Sequence, residues 1–166
     1  SSSSAASDVY KRQVYDKLVY TKLKDAMGGS VWYGITGGSA MSADLSHFFR
    51  GMGVPIYEGY GLTETCAAAC VNNAHANKIG TVGRPVNGYS VRINDDGEIE
   101  FAGPGVFSKY WRNEAATEEA VTDGWFNTGD LGEVDEEGFV SITGRKKDLI
   151  AVSYTHLRAH ETVLDL

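Results

Sequence analysis

Apolar residues recur along this chain at two different spacings, and the change from one to the other divides it. Leu18, Val19, Leu23, Ala26 and Met27 share one helical face, and Gly28-Gly29 closes that helix. The apolar and aromatic run 31–35 predicts a short buried strand, and Thr36-Gly37-Gly38-Ser39 a loop. Ser42 stands where it can cap a second helix, with Leu45, Phe48, Phe49 and Met52 on one face and Gly51 and Gly53 at its end. Residues 54–57 predict a second strand. A strand–helix–strand unit with so short a crossover is expected to be parallel and right-handed. The segments after the two strands, 37–40 and 58–64, are then loops at the carboxyl edge of the sheet, where α/β folds bind ligands.

Beyond Val71 the helical period gives way to short alternating runs. Residues 89–93 and 98–101 flank Asn94-Asp95-Asp96-Gly97, a hairpin signal, and 131–134 and 139–143 flank a second one, Asp135-Glu136-Glu137-Gly138. Residues 114–121 predict a short polar helix, and 124–130 a turn-rich stretch. No internal repeat is present. The expected fold class is therefore α/β: a parallel strand–helix–strand unit followed by a β-rich subdomain. Residues 1–13 begin with a serine run, show no period and read as unstructured. Residues 152–166 carry scattered apolar positions compatible with an isolated helix.

Composition narrows the function classes. Fifteen Lys and Arg against 22 Asp and Glu give a net charge of −7, which argues against a sequence-independent nucleic-acid binder. No apolar run approaches a bilayer-spanning length. Two cysteines, Cys66 and Cys70, cannot build a disulfide framework, so a reduced, cytoplasmic setting is the default. With His75 they sit at loose spacing for zinc, and small buried cysteines are the better reading. His47 falls on the polar side of its helix and needs no role.

The glycine-rich segments carry the candidate chemistry. Gly37, Gly38, Gly59 and Gly61 let a ligand touch backbone; Tyr60 offers a flat face to a base, Thr63 a hydroxyl to a phosphate oxygen, and Glu64 a hard oxygen ligand to Mg2+. Each has a plain structural alternative: Tyr60 as a core aromatic, Glu64 as a first-turn acid, Asp130 as a turn former beside Gly129. Arg145-Lys146-Lys147 read locally is a charged stretch, and Lys146 is expected to be solvated surface.

Tyr60-Gly61-Leu62-Thr63-Glu64, Trp125-Phe126-Asn127-Thr128-Gly129-Asp130 and Gly144-Arg145-Lys146-Lys147-Asp148 occur in that order. Together they resemble the adenylate-forming (AMP-binding) superfamily, with a flavour most similar to long-chain fatty acyl-CoA synthetases. The resemblance covers residues 14–150. It implies the C-terminal part of a large adenylation domain over 14–146, a hinge and the start of a lid over 147–150, and foreign-looking ends at 1–13 and 151–166. It implies ATP, Mg2+, coenzyme A and a fatty acid as cofactor and small-molecule partners, no nucleic acid, and leaves peripheral membrane association unread. Gly38, Ser39 and Ala40 would line the adenine, and Tyr60 would stack on it within the binding segment Glu58, Gly59, Tyr60, Gly61, Leu62 and Thr63. Thr63 would hold the α-phosphate and Glu64 the Mg2+, Asp130 would accept both ribose hydroxyls, Arg145 would reach ribose or phosphate, and Lys147 would be the hinge. The superfamily's phosphate loop and lid lysine have no counterpart in this sequence, so the expectation is an internal, inactive fragment of an ATP-dependent fatty acid–CoA ligase. An enzyme adenylating another carboxylic acid, or a nucleotide-binding module without chemistry, are the alternatives.

Overall fold

A computed structural model describes residues 13–152 and 155–158, with those from 149 onward described as backbone only. The chain separates into two compact units. The first comprises the residues through Thr36 together with Met41–Tyr57, and the second comprises Gly37–Ala40 and the chain from Glu58 onward.

In the first unit a π-helical segment, Asp16–Tyr20, passes into helix α1 (Thr21–Ala26). Gly28 and Gly29 follow at φ 94° and 73°, a left-handed exit that glycine adopts without a Cβ penalty. Helix α2 (Ala43–Met52) starts where Ser42 Oγ accepts the Leu45 N–H at 3.3 Å and stops at Gly53, φ 83°. Strand β1 (Gly34–Thr36) is joined to the chain entering β2 (Ile56–Leu62) by Gly34 N–H donating to Pro55 O at 3.0 Å. The strand–helix–strand order is thus present. The expected buried strand over 31–35 is not. Val31, Trp32 and Tyr33 precede the strand, and Trp32 and Ile35 are 82% and 69% exposed. The three-residue strand and the short helices of this unit leave these side chains uncovered. Leu45 and Phe48 on the α2 face are exposed as well, and among the described residues of this unit the buried apolar side chains are Met52 and Val54.

The second unit is antiparallel. β2 pairs with β3 (Ala67–Val71), and β3 with β4 (Arg84–Pro85). The segment 58–64 is therefore not the loop its glycines suggested: it is strand as far as Leu62, then a 3-10 turn, Thr63–Thr65. Thr65, fully buried, ties that turn. Its Oγ1 accepts the Leu62 N–H at 2.9 Å and donates toward the carbonyls of Leu62 and Ala67. Gly61 faces the Ala67 backbone so closely that a Cβ would collide with it. Cys66 is exposed at the left-handed corner (φ 49°) and only Cys70 is buried, so the expectation of two buried cysteines fails for Cys66.

A second sheet has the order β5 (Ser90–Ile93), β6 (Glu98–Ala102), β8 (Trp125–Val134), β7 (Val121–Thr122), with β9 (Val140–Arg145) also on β8. Both expected hairpins form. Asn94 Oδ1 accepts the N–H groups of Asp96 and Glu98, and Asp135 Oδ1 those of Glu137 and Phe139, with Gly97 and Gly138 both at φ 82°. The polar helix is α3 (Glu114–Ala120), capped by Asn113. The stretch 124–130, expected to be turns, is instead mostly strand β8, because pairing with β6 and β9 overrides its weak local propensity. Ala69, Cys70, Ile99, Phe101 and Val140 form the core of this unit, with Tyr60 and Tyr89 packed on it.

β10 (Leu149–Val152) and β11 (Thr155–Arg158) pair antiparallel, so the isolated helix expected there gives way to a backbone ladder. The head 1–12 and the residues 159–166 lie outside the described residues. No helix among the described residues is long and apolar enough to cross a membrane.

Candidate nucleotide site

Asp130 is positioned by an irregularity in β8. Glu98 pairs with Leu131 and Glu100 with Asn127, so one residue of β6, Ile99, faces three of β8: Thr128, Gly129 and Asp130. Such a bulge re-aims side chains and needs its loosened backbone groups satisfied. Here side chains do so. Thr128 Oγ1 donates to Ile99 O at 2.7 Å and accepts the Asp130 N–H at 3.1 Å; Glu98 Oε1 accepts the Gly129 N–H at 2.7 Å. Gly129 takes φ 76°.

Asp130, 6% exposed, is met on both oxygens. Tyr60 OH donates to Oδ2 at 2.5 Å, and Arg145 Nε lies 3.3 Å from Oδ1. Burial, then donation to the Asp130 carboxylate, push the Tyr60 phenol far above its ordinary range, so it is a proton donor at every physiological pH. Arg145 is 72% exposed along its side chain, and its ion pair is correspondingly weak. The Tyr60 ring packs at 6.0 Å from Phe101, against the core of this unit, which is the plain structural role the sequence offered for it.

Glu64 occupies the turn that ends β2. Its Oε1 accepts from Tyr110 OH at 2.7 Å, and its carbonyl accepts the Phe107 N–H at 2.7 Å. Donation to Glu64, then burial, push the Tyr110 phenol up to about 12. A cavity of ≈ 570 Å3 opens here, lined among others by Glu64, Tyr110, Glu98, Thr128, Lys146 and Lys147. Lys146 is exposed, as the sequence suggested, and it is also paired: its Nζ lies 3.0 Å from both Asp96 and Glu98, and these two carboxylates hold its pKa above the ordinary lysine value.

The remaining candidates are less engaged. Gly38, Ser39 and Ala40 are exposed in a turn whose Gly37 sits beside Gly59, where a Cβ would lie 3.1 Å from the Gly59 carbonyl. Glu58 is buried, with its carbonyl accepting the Asn72 N–H at 2.8 Å. Thr63 is exposed at the start of the turn. Direct contact thus joins Tyr60, Asp130 and Arg145, and among the described residues it does not join Ser39 or Thr63 to them. Sequence reasoning missed Tyr110 and Glu98 and gave Thr128, though inside a motif, no role; a buried acid two residues from another, Glu98 and Glu100, carries no motif that would have found it. Among the described residues no three His, Cys, Asp or Glu side chains gather as a metal cage. Glu64 can supply one carboxylate to a Mg2+ whose other ligands are phosphate and water, the usual manner for that ion.

The family described as "AMP-binding enzyme" matches residues 8–111 of this chain. The chain belongs to that family. Its match begins within the segment 1–13 that the sequence set aside as a head. A long-chain-fatty-acid–CoA ligase of Mycobacterium bovis, FadD15, is 53% identical over 163 residues, covering 92% of this chain and 27% of the relative. The chain therefore spans about a quarter of the length of that curated relative. Among solved structures, the O-succinylbenzoate–CoA synthetase MenE of Bacillus subtilis with ATP and magnesium ion superposes at TM-score 0.69 and 31% identity, over 76% of this chain and 29% of that one. A fatty acyl-CoA synthetase of Mycobacterium tuberculosis gives TM-score 0.64 and 32% identity, over 75% of this chain and 27% of its own.

Proposed function

We propose that this chain is the ribose- and α-phosphate-binding part of an ATP-dependent long-chain fatty acid–CoA ligase, which forms an acyl-adenylate and then an acyl-CoA thioester. The observation that carries the reading is the 53% identity to a long-chain-fatty-acid–CoA ligase along 92% of this chain. The buried, two-sided carboxylate of Asp130 supports it chemically, because a carboxylate with two acceptor oxygens suits a vicinal diol.

In this reading Asp130 accepts both ribose hydroxyls, which take the places held by Tyr60 OH and Arg145. Tyr60 stacks on the adenine, and Gly38, Ser39 and Ala40 line its edge with the backbone of residues 58–62. Thr63 donates its hydroxyl to an α-phosphate oxygen. Arg145, free to swing, brings a permanent cation to ribose or phosphate. Glu64 is the carboxylate through which the chain would hold Mg2+, with Tyr110 fixing its orientation. That ion, when bound, supplies charge neutralisation at the phosphates. The fatty-acid carboxylate attacks the α-phosphorus, pyrophosphate leaves, and the thiol of coenzyme A then displaces AMP from the acyl-adenylate. Lys147 is the hinge between the two half-reactions, and 147–150 open the lid.

The test is turnover by the full-length protein carrying this segment. With a long-chain acid, ATP, Mg2+ and coenzyme A it should yield acyl-CoA, AMP and pyrophosphate in equal amounts. Glu64→Ala should reduce the rate strongly. ADP as product, or turnover with aryl or amino acids but not with long-chain acids, would overturn this assignment.

A further inference from the structure

Glu98 lies outside the three motifs, and yet it is the side chain on which the Asp130 bulge hangs. It is 5% exposed. One oxygen accepts the Gly129 N–H at 2.7 Å; the other meets Lys146 Nζ at 3.0 Å. Gly129 is the middle residue of the bulge and immediately precedes Asp130. Lys146 immediately follows Arg145, which contacts Asp130 from the other side at 3.3 Å. One buried carboxylate therefore clamps the chain on both flanks of Asp130: the β8 bulge before it and the end of β9 across from it. Thr128 secures the same bulge through Ile99, but among the described residues it is Glu98 that links the bulge to residue 146, the neighbour of Lys147.

We propose that Glu98 is a positioning residue for ribose recognition: by holding the Gly129 N–H, and being held by Lys146, it sets where the Asp130 carboxylate points. The proposal rests on the ribose role given to Asp130 above. In this reading Glu98 acts through Asp130. A buried charged acceptor of a backbone N–H is among the stronger hydrogen bonds a protein makes. Its loss frees a left-handed glycine to relax, and an ångström of movement at Asp130 is enough to spoil a bidentate contact to a diol.

The test compares AMP with 2′,3′-dideoxy-AMP, binding each to the 166-residue chain by NMR titration. Their affinity ratio isolates the ribose hydroxyls. Asp130→Ala should bring the ratio close to one. Glu98→Ala should lower it about as far while leaving dideoxy-AMP binding unchanged, and Glu98→Gln, which keeps an oxygen for Gly129, should recover most of it. Equal loss of both ligands in Glu98→Ala, or an unchanged ratio, would overturn the proposal. Should Glu98→Ala fail to fold, Lys146→Met replaces it, at a half-exposed side chain: a two- to threefold fall in the ratio supports the clamp and no fall refutes it. If Asp130→Ala leaves the ratio where it was, the ribose reading fails and this inference falls with it. If Asp130→Ala abolishes the discrimination and the Glu98 variants do not, the inference alone fails.

Discussion

Tyr60→Phe should lower stability without lowering nucleotide affinity, and the two effects separate the roles of the phenol. The hydroxyl donates to a carboxylate that is 6% exposed, at 2.5 Å. Deleting a hydrogen bond to a buried charged group costs about 1.5–3 kcal/mol, because the carboxylate is left short of a donor. Arg145 on the other oxygen compensates little, since its side chain is 72% exposed. The ring remains, and with it the packing on Phe101, so no cavity term is added. For a chain of this size a loss of about 2 kcal/mol moves the thermal midpoint by roughly 4–8 °C. Urea unfolding followed by circular dichroism gives the free-energy change directly. In the proposed complex the ring still stacks on adenine, while the ribose hydroxyls no longer have to displace the phenol, so AMP should bind as well as before or tighter. A stability change below about 0.5 kcal/mol would show that the Tyr60–Asp130 bond does not hold the folded unit together. Loss of AMP binding alongside full stability would show that the hydroxyl contacts the ligand.

Three further outcomes follow from the same geometry. Glu64→Gln should bring the Tyr110 phenol down from about 12 toward its ordinary value, read as tyrosinate absorbance in an alkaline titration; because the folded value is raised, the stability Tyr110 contributes is complete below pH 10 and fades as pH rises toward 12. Gly61→Ala should destabilise by at least about 2 kcal/mol in the same urea assay, since the added methyl meets the Ala67 backbone rather than a movable side chain. AMP and ATP should bind this chain with similar affinity in calorimetric titration, because the residues assigned here address adenine, ribose and the α-phosphate, and Asp130→Ala should weaken both.

Local chemistry made part of this fold readable. Ser42 before α2 and Gly53 after it, or Asn94 and Asp135 beside their glycines, act on neighbours in sequence, and the sequence alone shows them. The strand character of 58–62 and 125–130 is hidden because Gly59 and Gly61 in one, and Asn127, Gly129 and Asp130 in the other, have weak strand propensity. Pairing makes strands of them, with β3 just beyond the Thr63–Thr65 turn for one and with β6, distant in sequence, for the other. The same limit applies to the site. Motif order named Tyr60, Glu64, Asp130 and Arg145 as candidates, but the bond between Tyr60 and Asp130 spans 70 residues, and nothing near either residue announces it. Glu98 and Tyr110 went unnoticed for that reason: their importance lies in which backbone bulge or carboxylate they meet. The aromatic run 31–35 failed differently, since apolar character predicts burial only where enough surface is present to bury it.

In the proposed function, AMP binds where Asp130 and the β2 segment lie. Mapping backbone amide shifts of the isotope-labelled chain on titration with AMP tests it most directly. The largest changes should fall on residues 38–40, 58–63, 129–130 and 145. Changes gathered on the 94–97 and 135–138 hairpin turns, or no saturable change at all, would contradict it.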